Sequence, residues 1–158
     1  MKSIEERFNS RIIKSDQLEG CWIWTGAIGN DGYGRFWLKD PVNNVQKVVR
    51  AHRFAYEMRN GHIEEHQHIL HRCDNPLCVK ATDDSTTHLI LGDHSENMLD
   101  RSAKGRSNFQ SVYSSADARV RRTKAAHQLR TFTLEHGYSQ SAVDQLRKNL
   151  APDQLVLF

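Results

Sequence analysis

The spacing of apolar and polar residues divides the first half of the chain into a helix and several strands. Apolar residues recur at four-residue steps between residues 3 and 15, which predicts a short amphipathic helix. Aromatic and β-branched residues dominate Cys21–Thr25 and Tyr33–Leu38, and these runs flank the turn sequence GNDG. That arrangement predicts a β-hairpin. A further extended stretch, NVQKVVRA, follows the turn sequence PVNN.

A second helix is predicted over residues 51–61, with the sequence AHRFAYEMRNG. Its apolar stripe is formed by Phe54, Ala55 and Met58, which lie on one helical face. Gly61 follows as a C-terminal cap.

The segment from Gln67 to Leu91 has no helical period, and it begins and ends with short strand-like runs, HIL and HLILG. A helix is predicted to follow from His94 to Lys104 and to end at Gly105. Asp93 is its expected N-cap, because Glu96 stands at capping-box spacing. The predicted order is therefore strand, loop, strand, helix.

The remaining chain is predicted to be helical. Residues 107–118 read as a linker, and helices are predicted at 117–134 and 139–150 around the turn EHGYS. The two helices loosely suit a helix-turn-helix. Packing against a partner or dimerisation explains their apolar positions equally well, namely Val143, Leu146 and Leu150.

Composition sets the broad class of protein. A chain of 158 residues suits one domain with an appendage. No run approaches the roughly 18 apolar residues of a membrane span, and the charged N-terminus is unlike a signal peptide. We therefore expect a cytoplasmic protein. The chain has three cysteines, an odd number, which favours metal ligation or free thiols over a disulfide framework.

Positive charge is concentrated in one block. Residues 101–130 contain 8 Lys and Arg against 1 acidic residue, whereas the whole chain has a net charge of only +3. Such a block is typical of a surface that binds a polyanion. A solvated helix face is the alternative interpretation.

Cysteine and histidine positions suggest a metal centre. Cys73 and Cys78 have a spacing that allows both thiolates to bind one tetrahedral ion. With His88 and Cys21 they would form a Cys3His set, the usual chemistry of structural zinc. A zinc ion would also hold a loop that lacks regular structure. Two unpaired buried thiols are the alternative.

A second group of residues could support hydrolysis. His71 lies at the end of the first short strand, where a neutral imidazole could activate water, although a histidine in this position is by itself more often structural. Asn97 and Asp100 share one helical face with His94, and these residues form a ligand set suited to Mg²⁺, Mn²⁺ or Ca²⁺. Surface or capping roles are the alternative for these three.

The order of these motifs resembles the HNH endonucleases. The core of the resemblance consists of HRCDNPLC, followed by His88-Leu89 and then by GDHSENMLD. The sequences CWIWTG, GYGRF and AHRFAYE resemble the phage and mobile-element branch of that family. The resemblance covers residues 20–106.

The resemblance implies an α+β, ββα-metal core with an N-terminal β-hairpin, and hydrolysis of DNA with one divalent cation. His71 then corresponds to the water-activating histidine and Asn97 to a ligand of the catalytic cation. His88 stands where the middle Asn of the family is usual, and Asp100 at an acidic position able to reach the cation. The implied division is an N-terminal helix (1–19), a nuclease domain (20–106) and a basic helical extension (107–158).

Two departures from the family pattern concern the metals. Many members have a metal-binding Asp or His before the base histidine, where this chain has Leu70. Relatives often have CVNPxHL where this chain has CVKATDDSTTHL, a loop longer by five residues. Because of the first departure, the catalytic cation would have to be bound by the helix residues or by DNA phosphates. The second puts the zinc role of His88 in question.

Double-stranded DNA is the partner expected for the basic block. The residues expected to contact its phosphates are Arg101, Lys104, Arg106, Arg119, Arg121, Arg122 and Lys124. A homodimer would be the simplest way to cut two antiparallel strands. The leading hypothesis is a nuclease that uses Mg²⁺ or Mn²⁺ for catalysis and has a structural Zn²⁺. Two other classes of protein are alternatives, namely a zinc-stabilised DNA-binding protein without cleavage activity and an RNA-binding zinc module.

Overall fold

The computed structural model describes residues 1–103 and 115–150, and it is composed of short strands and five helices in those ranges. The helices are α1 (Ile4–Asn9), α2 (Ala51–Asn60), α3 (His94–Ala103), α4 (Ser115–His136) and α5 (Gln140–Leu150). The strands are β1 (Ile12–Lys14), β2 (Trp22–Trp24), β3 (Arg35–Lys39), β4 (Gln46–Arg50), β5 (His68–His71) and β6 (Leu89–Gly92).

The strands form three separate antiparallel pairs, β1 with β2, β3 with β4, and β5 with β6. Two predictions are therefore wrong in detail. The helix predicted over residues 3–15 ends at Asn9, and Ile12 belongs to a strand that pairs with Trp24. The chain does contain N-terminal hairpins, but Tyr33–Leu38 contributes β3, which pairs with β4 instead of with Cys21–Thr25.

Helix α1 is held by contacts near both of its ends. Ser3 and Glu6 form a reciprocal capping box at its start. Near its end Phe8 is buried and stacks on Trp24, with 4.9 Å between the ring centroids. Phe36 meets Phe8 edge-on at 5.1 Å. This aromatic cluster joins α1, β2 and β3 in one core.

Helix α2 buries part of the predicted stripe, since Ala55 is buried and Phe54 packs against the core. Ala51, His52 and Ala55 are its buried residues, whereas Met58 is 39% exposed. The buried stripe therefore includes a histidine. Gly61 follows the helix with φ of 90°, as expected of a glycine at a helix C-terminus.

Strands β5 and β6 and helix α3 form a ββα unit, which confirms the α+β fold class. His71 pairs with Leu89 and His68 with Gly92, so the loop between the strands leaves from His71. The predicted cap of α3 is also confirmed. Asp93 accepts a hydrogen bond from the Glu96 backbone N–H, and Glu96 accepts one from that of Asp93. The predicted end of this helix at Lys104 and Gly105 lies outside the described residues.

Helices α4 and α5 pack against each other and against the core that contains the sheets. Val143 and Leu146 are fully buried there, so packing within the chain accounts for these apolar positions. Arg147 binds the carbonyl of Cys73, which ties α5 to the loop after β5. Of the linker predicted over 107–118, residues 107–114 lie outside the described ranges and the remainder belongs to α4. Within the described residues, no helix is long and apolar enough to span a membrane.

Candidate metal and active site

Three cysteines and one histidine converge in the interior. Cys21, Cys73, Cys78 and His88 are all buried, and their ligand atoms lie within 4.8 Å of one another. The Nδ1 atom of His88 is 3.6 Å from the sulfur of Cys21 and 3.4 Å from that of Cys78. Ligand bonds of usual length place sulfur and nitrogen about 3.6 Å apart around one tetrahedral zinc ion. Both printed distances from His88 therefore match those expected around a zinc ion bound by this cluster.

Backbone pairing brings these ligands together from distant parts of the sequence. The N–H of Trp24 donates to the carbonyl of Leu77, and the N–H of Val79 donates to that of Trp22. Strand β2 thus pairs with the loop around Cys78, and this places Cys21 at the end of β2 beside the loop cysteines.

The electrostatics of the cluster suit a divalent cation. Hydrogen bonds from Cys73 and Cys78 lower the pKa of the Cys21 thiol to about 4, against the opposing effect of burial. Burial raises the pKa of the Cys78 thiol. The protein by itself therefore favours the thiolate of Cys21, and a bound cation would favour loss of the proton from Cys78.

The groups around the cluster hold its loops in place. Asn75 is fully buried and accepts a hydrogen bond from the backbone N–H of Leu77, while its side chain also lowers the pKa of Cys21. The buried ammonium of Lys80 donates to the carbonyls of Leu18 and Gly20, next to Cys21. Such outer contacts are typical of metal centres.

The five extra residues before His88 fold into a turn of their own. The carboxylate of Asp84 accepts hydrogen bonds from the hydroxyl of Thr82 at 3.0 Å and from the backbone of Thr86 at 2.9 Å. The hydroxyl of Thr86 also donates to this carboxylate and has the largest effect in lowering the pKa of Asp84, followed by the two bonds just described. The insertion is absorbed locally, and His88 stays beside the cysteines.

His71 is connected to the metal cluster through a backbone hydrogen bond. Its Nε2 atom lies 3.1 Å from the carbonyl oxygen of Cys78. A carbonyl only accepts, so Nε2 carries a proton, and in a neutral imidazole Nδ1 then carries the lone pair. The same residue that supplies a ligand thus orients the candidate base. A neutral, oriented imidazole can accept a proton from water.

Two further aromatic side chains surround His71, and the sequence did not single them out. The ring of His52 lies 4.6 Å from that of His71 between centroids, and the ring of Tyr33 stacks on His71 at 6.0 Å. His52 comes from α2, and Tyr33 from the turn before β3. A signal for His52 was present, because it is three residues from Ala55 on the buried face of α2.

Burial keeps His52 neutral. The pKa of His52 lies well below its ordinary value of 6.5, first because of desolvation and then because of positive charge nearby, including that of Arg50. Its Nδ1 atom is buried and makes no hydrogen bond to the residues that the structure describes. His52 therefore acts as an uncharged wall of the site, because protonation would place a charge in the interior.

We expect acid to destabilise the protein through His52. The unfolded chain takes up a proton on this residue near pH 6.5 while the folded chain does not, so stability is lost as the pH falls below that value. The loss approaches about 1.4 kcal/mol per pH unit. His52→Phe should reduce this slope when unfolding by denaturant is measured between pH 7.5 and 5. Identical slopes for the two proteins would refute the effect, since other titrating groups are common to both.

The candidate ligands of the catalytic cation lie on one helix. His94 is exposed, while Asn97 and Asp100 are half-buried at three-residue steps along α3. The ring of His94 is 6.0 Å from that of His68 on β5. Among residues 1–103 and 115–150, the Cys3His cluster is the only group in which three or more Cys, His, Asp or Glu ligand atoms converge. Leu70 provides no ligand beside His71.

The basic residues predicted to contact DNA occupy different surroundings. Arg101, Arg119 and Lys124 are exposed, and Arg121 is half-buried. Arg122 is also half-buried, and its Nε donates to the carbonyl of Asp31 at 2.5 Å. Lys104 and Arg106 lie outside the described residues.

Comparisons with known proteins agree with this geometry. A family model described as HNH endonuclease matches residues 49–99, from the end of β4 into α3. Protein 2.8 of Escherichia phage T7 is 33% identical over 129 residues, which cover 82% of each chain. Protein 7.7 of the same phage is 32% identical over 134 residues, covering 82% of this chain and 93% of the relative. No solved structure gives a significant match. The chain belongs to the HNH endonuclease family and is of the phage type.

Proposed function

We propose that the protein is a metal-dependent DNA endonuclease in which Cys21, Cys73, Cys78 and His88 bind a structural zinc ion. The observation that carries this proposal is the hydrogen bond from His71 to the Cys78 carbonyl, which orients the imidazole at the end of β5 in the ββα unit. Family membership supplies the class of reaction. We further propose that it acts inside a bacterial or phage-infected cell, the setting of its phage relatives.

In this proposal His71 is the general base. Its Nδ1 atom accepts a proton from water, and the water oxygen forms a bond to the phosphorus of the DNA backbone. The bond from phosphorus to the 3′ oxygen breaks, and this oxygen takes a proton from solvent water, which leaves a 5′-phosphate and a 3′-hydroxyl. Cys78 keeps the ring in the required tautomer through its carbonyl. A bound Mg²⁺ or Mn²⁺ supplies Lewis-acid stabilisation of the leaving oxygen.

Residues of α3 are proposed to hold that cation. Asn97 offers an amide oxygen, and Asp100 and His94 stand one turn to either side. This set is sparse, because no further acidic ligand joins it among the described residues. Phosphate oxygens of the DNA are therefore expected to complete the coordination shell, and cation affinity should rise when DNA is bound.

The alternative is a zinc-stabilised DNA-binding protein without cleavage activity. Leu70 favours it, because the residue before the base provides no metal ligand. The two functions differ in what happens to a bound duplex. An end-labelled DNA duplex incubated with zinc-loaded protein should be cut only when Mg²⁺ or Mn²⁺ is added, giving 5′-phosphate and 3′-hydroxyl ends. Binding without cleavage across both cations and varied sequences would instead establish the alternative.

Replacing Asn97 should raise the concentration of Mg²⁺ needed for cleavage. We expect the half-saturating concentration of the Asn97→Ala variant to increase about 10-fold or more, since loss of one ligand weakens a cation that has few protein ligands. The measurement is a Mg²⁺ titration of the cleavage rate. Ser95→Ala, an exposed change on the same helix, is the matched control. Equal titration curves for wild type and Asn97→Ala would remove Asn97 from the cation site.

A further inference from the structure

Two arginines lie over the ring of Tyr33, which also stacks on His71. The guanidinium carbon of Arg50 lies 5.0 Å from the centroid of the Tyr33 ring, and that of Arg122 lies 5.2 Å from it. The same ring stacks on His71. One aromatic side chain therefore contacts the candidate base and two cations, although the arginines come from β4 and α4, far apart in sequence.

The charges of this cluster do not balance. Asp31 binds Arg35 at 2.8 Å and Arg50 at 2.9 Å through the same carboxylate oxygen, while Arg122 reaches only its backbone carbonyl. Burial would raise the pKa of Asp31, but the hydrogen bond and charge of Arg35 and the charge of Arg50 lower it. One ionised carboxylate thus pairs with two guanidinium groups while a third binds the backbone beside it, so positive charge is in excess and the cluster attracts anions.

Arg50 has the geometry of a ligand-binding arginine. Its contact with Asp31 fixes one end of the guanidinium, and the side chain remains 52% exposed. The stacking on Tyr33 holds the plane of the group. A fixed guanidinium presents paired N–H donors that match two oxygens of a phosphate.

We propose that Arg50 and Arg122, held over Tyr33, bind a phosphate of the DNA strand next to the bond that His71 attacks. This inference rests on the proposed function and adds substrate-positioning residues to it. Arg50 lies outside the basic block at 101–130, so the phosphate contacts begin on the β3–β4 pair and continue onto α4. Tyr33 is a positioning residue, because it acts through the two arginines.

The test is the salt dependence of binding between the zinc-loaded full chain and a duplex DNA, without added Mg²⁺ or Mn²⁺. For Arg50→Gln we expect weaker binding, and the slope of log K against log salt should decrease by about 0.9, the value for one lost phosphate contact. Arg50→Lys should recover most of that slope. Arg59→Gln is the matched control, since it removes one exposed charge on α2 that is paired with Asp83.

Variants of Tyr33 separate positioning from charge. Tyr33→Phe should bind like wild type because it keeps the ring, and Tyr33→Leu should lose slope although both arginines remain. An unchanged slope in Arg50→Gln, or an equal decrease in Arg59→Gln, would overturn the inference. If wild type binds and cuts DNA while Arg50→Gln keeps the full slope, only this inference fails. If wild type binds no DNA, the proposed function fails with it.

Discussion

His71→Ala should reduce the rate of DNA cleavage by about 10²- to 10⁴-fold, the usual contribution of a general base. The half-buried imidazole donates to the Cys78 carbonyl through Nε2, and in the proposed mechanism Nδ1 accepts the proton of the attacking water. Alanine removes that acceptor, and the zinc ligands are unchanged. The measurement is the single-turnover rate on a labelled duplex at saturating Mg²⁺.

The controls for His71→Ala separate chemistry from folding and binding. The variant should bind the duplex as wild type does and contain the same amount of zinc. His66→Ala removes an exposed histidine from the loop before β5 and should cut at the wild-type rate. Cleavage by His71→Ala within a few-fold of wild type would show that another group activates the water.

Cys78→Ala should abolish zinc binding and cooperative unfolding. A structural zinc contributes about 10 kcal/mol or more of apparent folding free energy, which is comparable to the whole stability of a typical domain. Cys78 also supplies the carbonyl that orients His71, so loss of the centre should stop cleavage as well. Metal analysis and thermal unfolding measure the effect, and wild type should contain about one zinc per chain.

Val79→Ala is the control for the zinc prediction. Val79 is buried in the same loop and is not a ligand, so this change should cost about 1–3 kcal/mol and leave the zinc in place. The structural role of the metal would be contradicted if zinc-free wild-type protein had three titratable thiols and the same melting temperature as zinc-loaded protein.

The sequence predicted those parts of the fold whose signals are local. The ββα unit follows from two short apolar runs and from the Asp93–Glu96 capping box, which depends on residues three apart. Strand pairing is not local. Both β2 and β3 are aromatic-rich, yet β2 pairs with β1 and with the loop at Leu77, because Phe8, Trp24 and Phe36 pack there.

The N-terminal helix was predicted too long for a related reason. Ile12 continues the four-residue spacing of Ile4 and Phe8, but it lies opposite Trp24 in the β1–β2 pair. Three positions on one helical period cannot distinguish a longer helix from a helix followed by a strand.

The candidate site could be predicted where residue type alone restricts the chemistry. Cysteine is rare in this chain, so Cys21, Cys73 and Cys78 stood out, and the structure brings them together with His88. Tyr33 and His52 could not be found in this way. Each belongs to a segment with another structural explanation, and only the tertiary packing places their rings against His71. The roles of all these residues and the three-part division of the chain remain predictions.

Relaxation of a supercoiled plasmid tests the central proposal most directly, because one nick at any sequence is enough to be detected. Zinc-loaded wild-type protein should convert supercoiled DNA to nicked or linear forms when Mg²⁺ or Mn²⁺ is added, and not before. A plasmid that stays supercoiled with either cation, while the protein still binds it, would contradict the assignment of this chain as a nuclease.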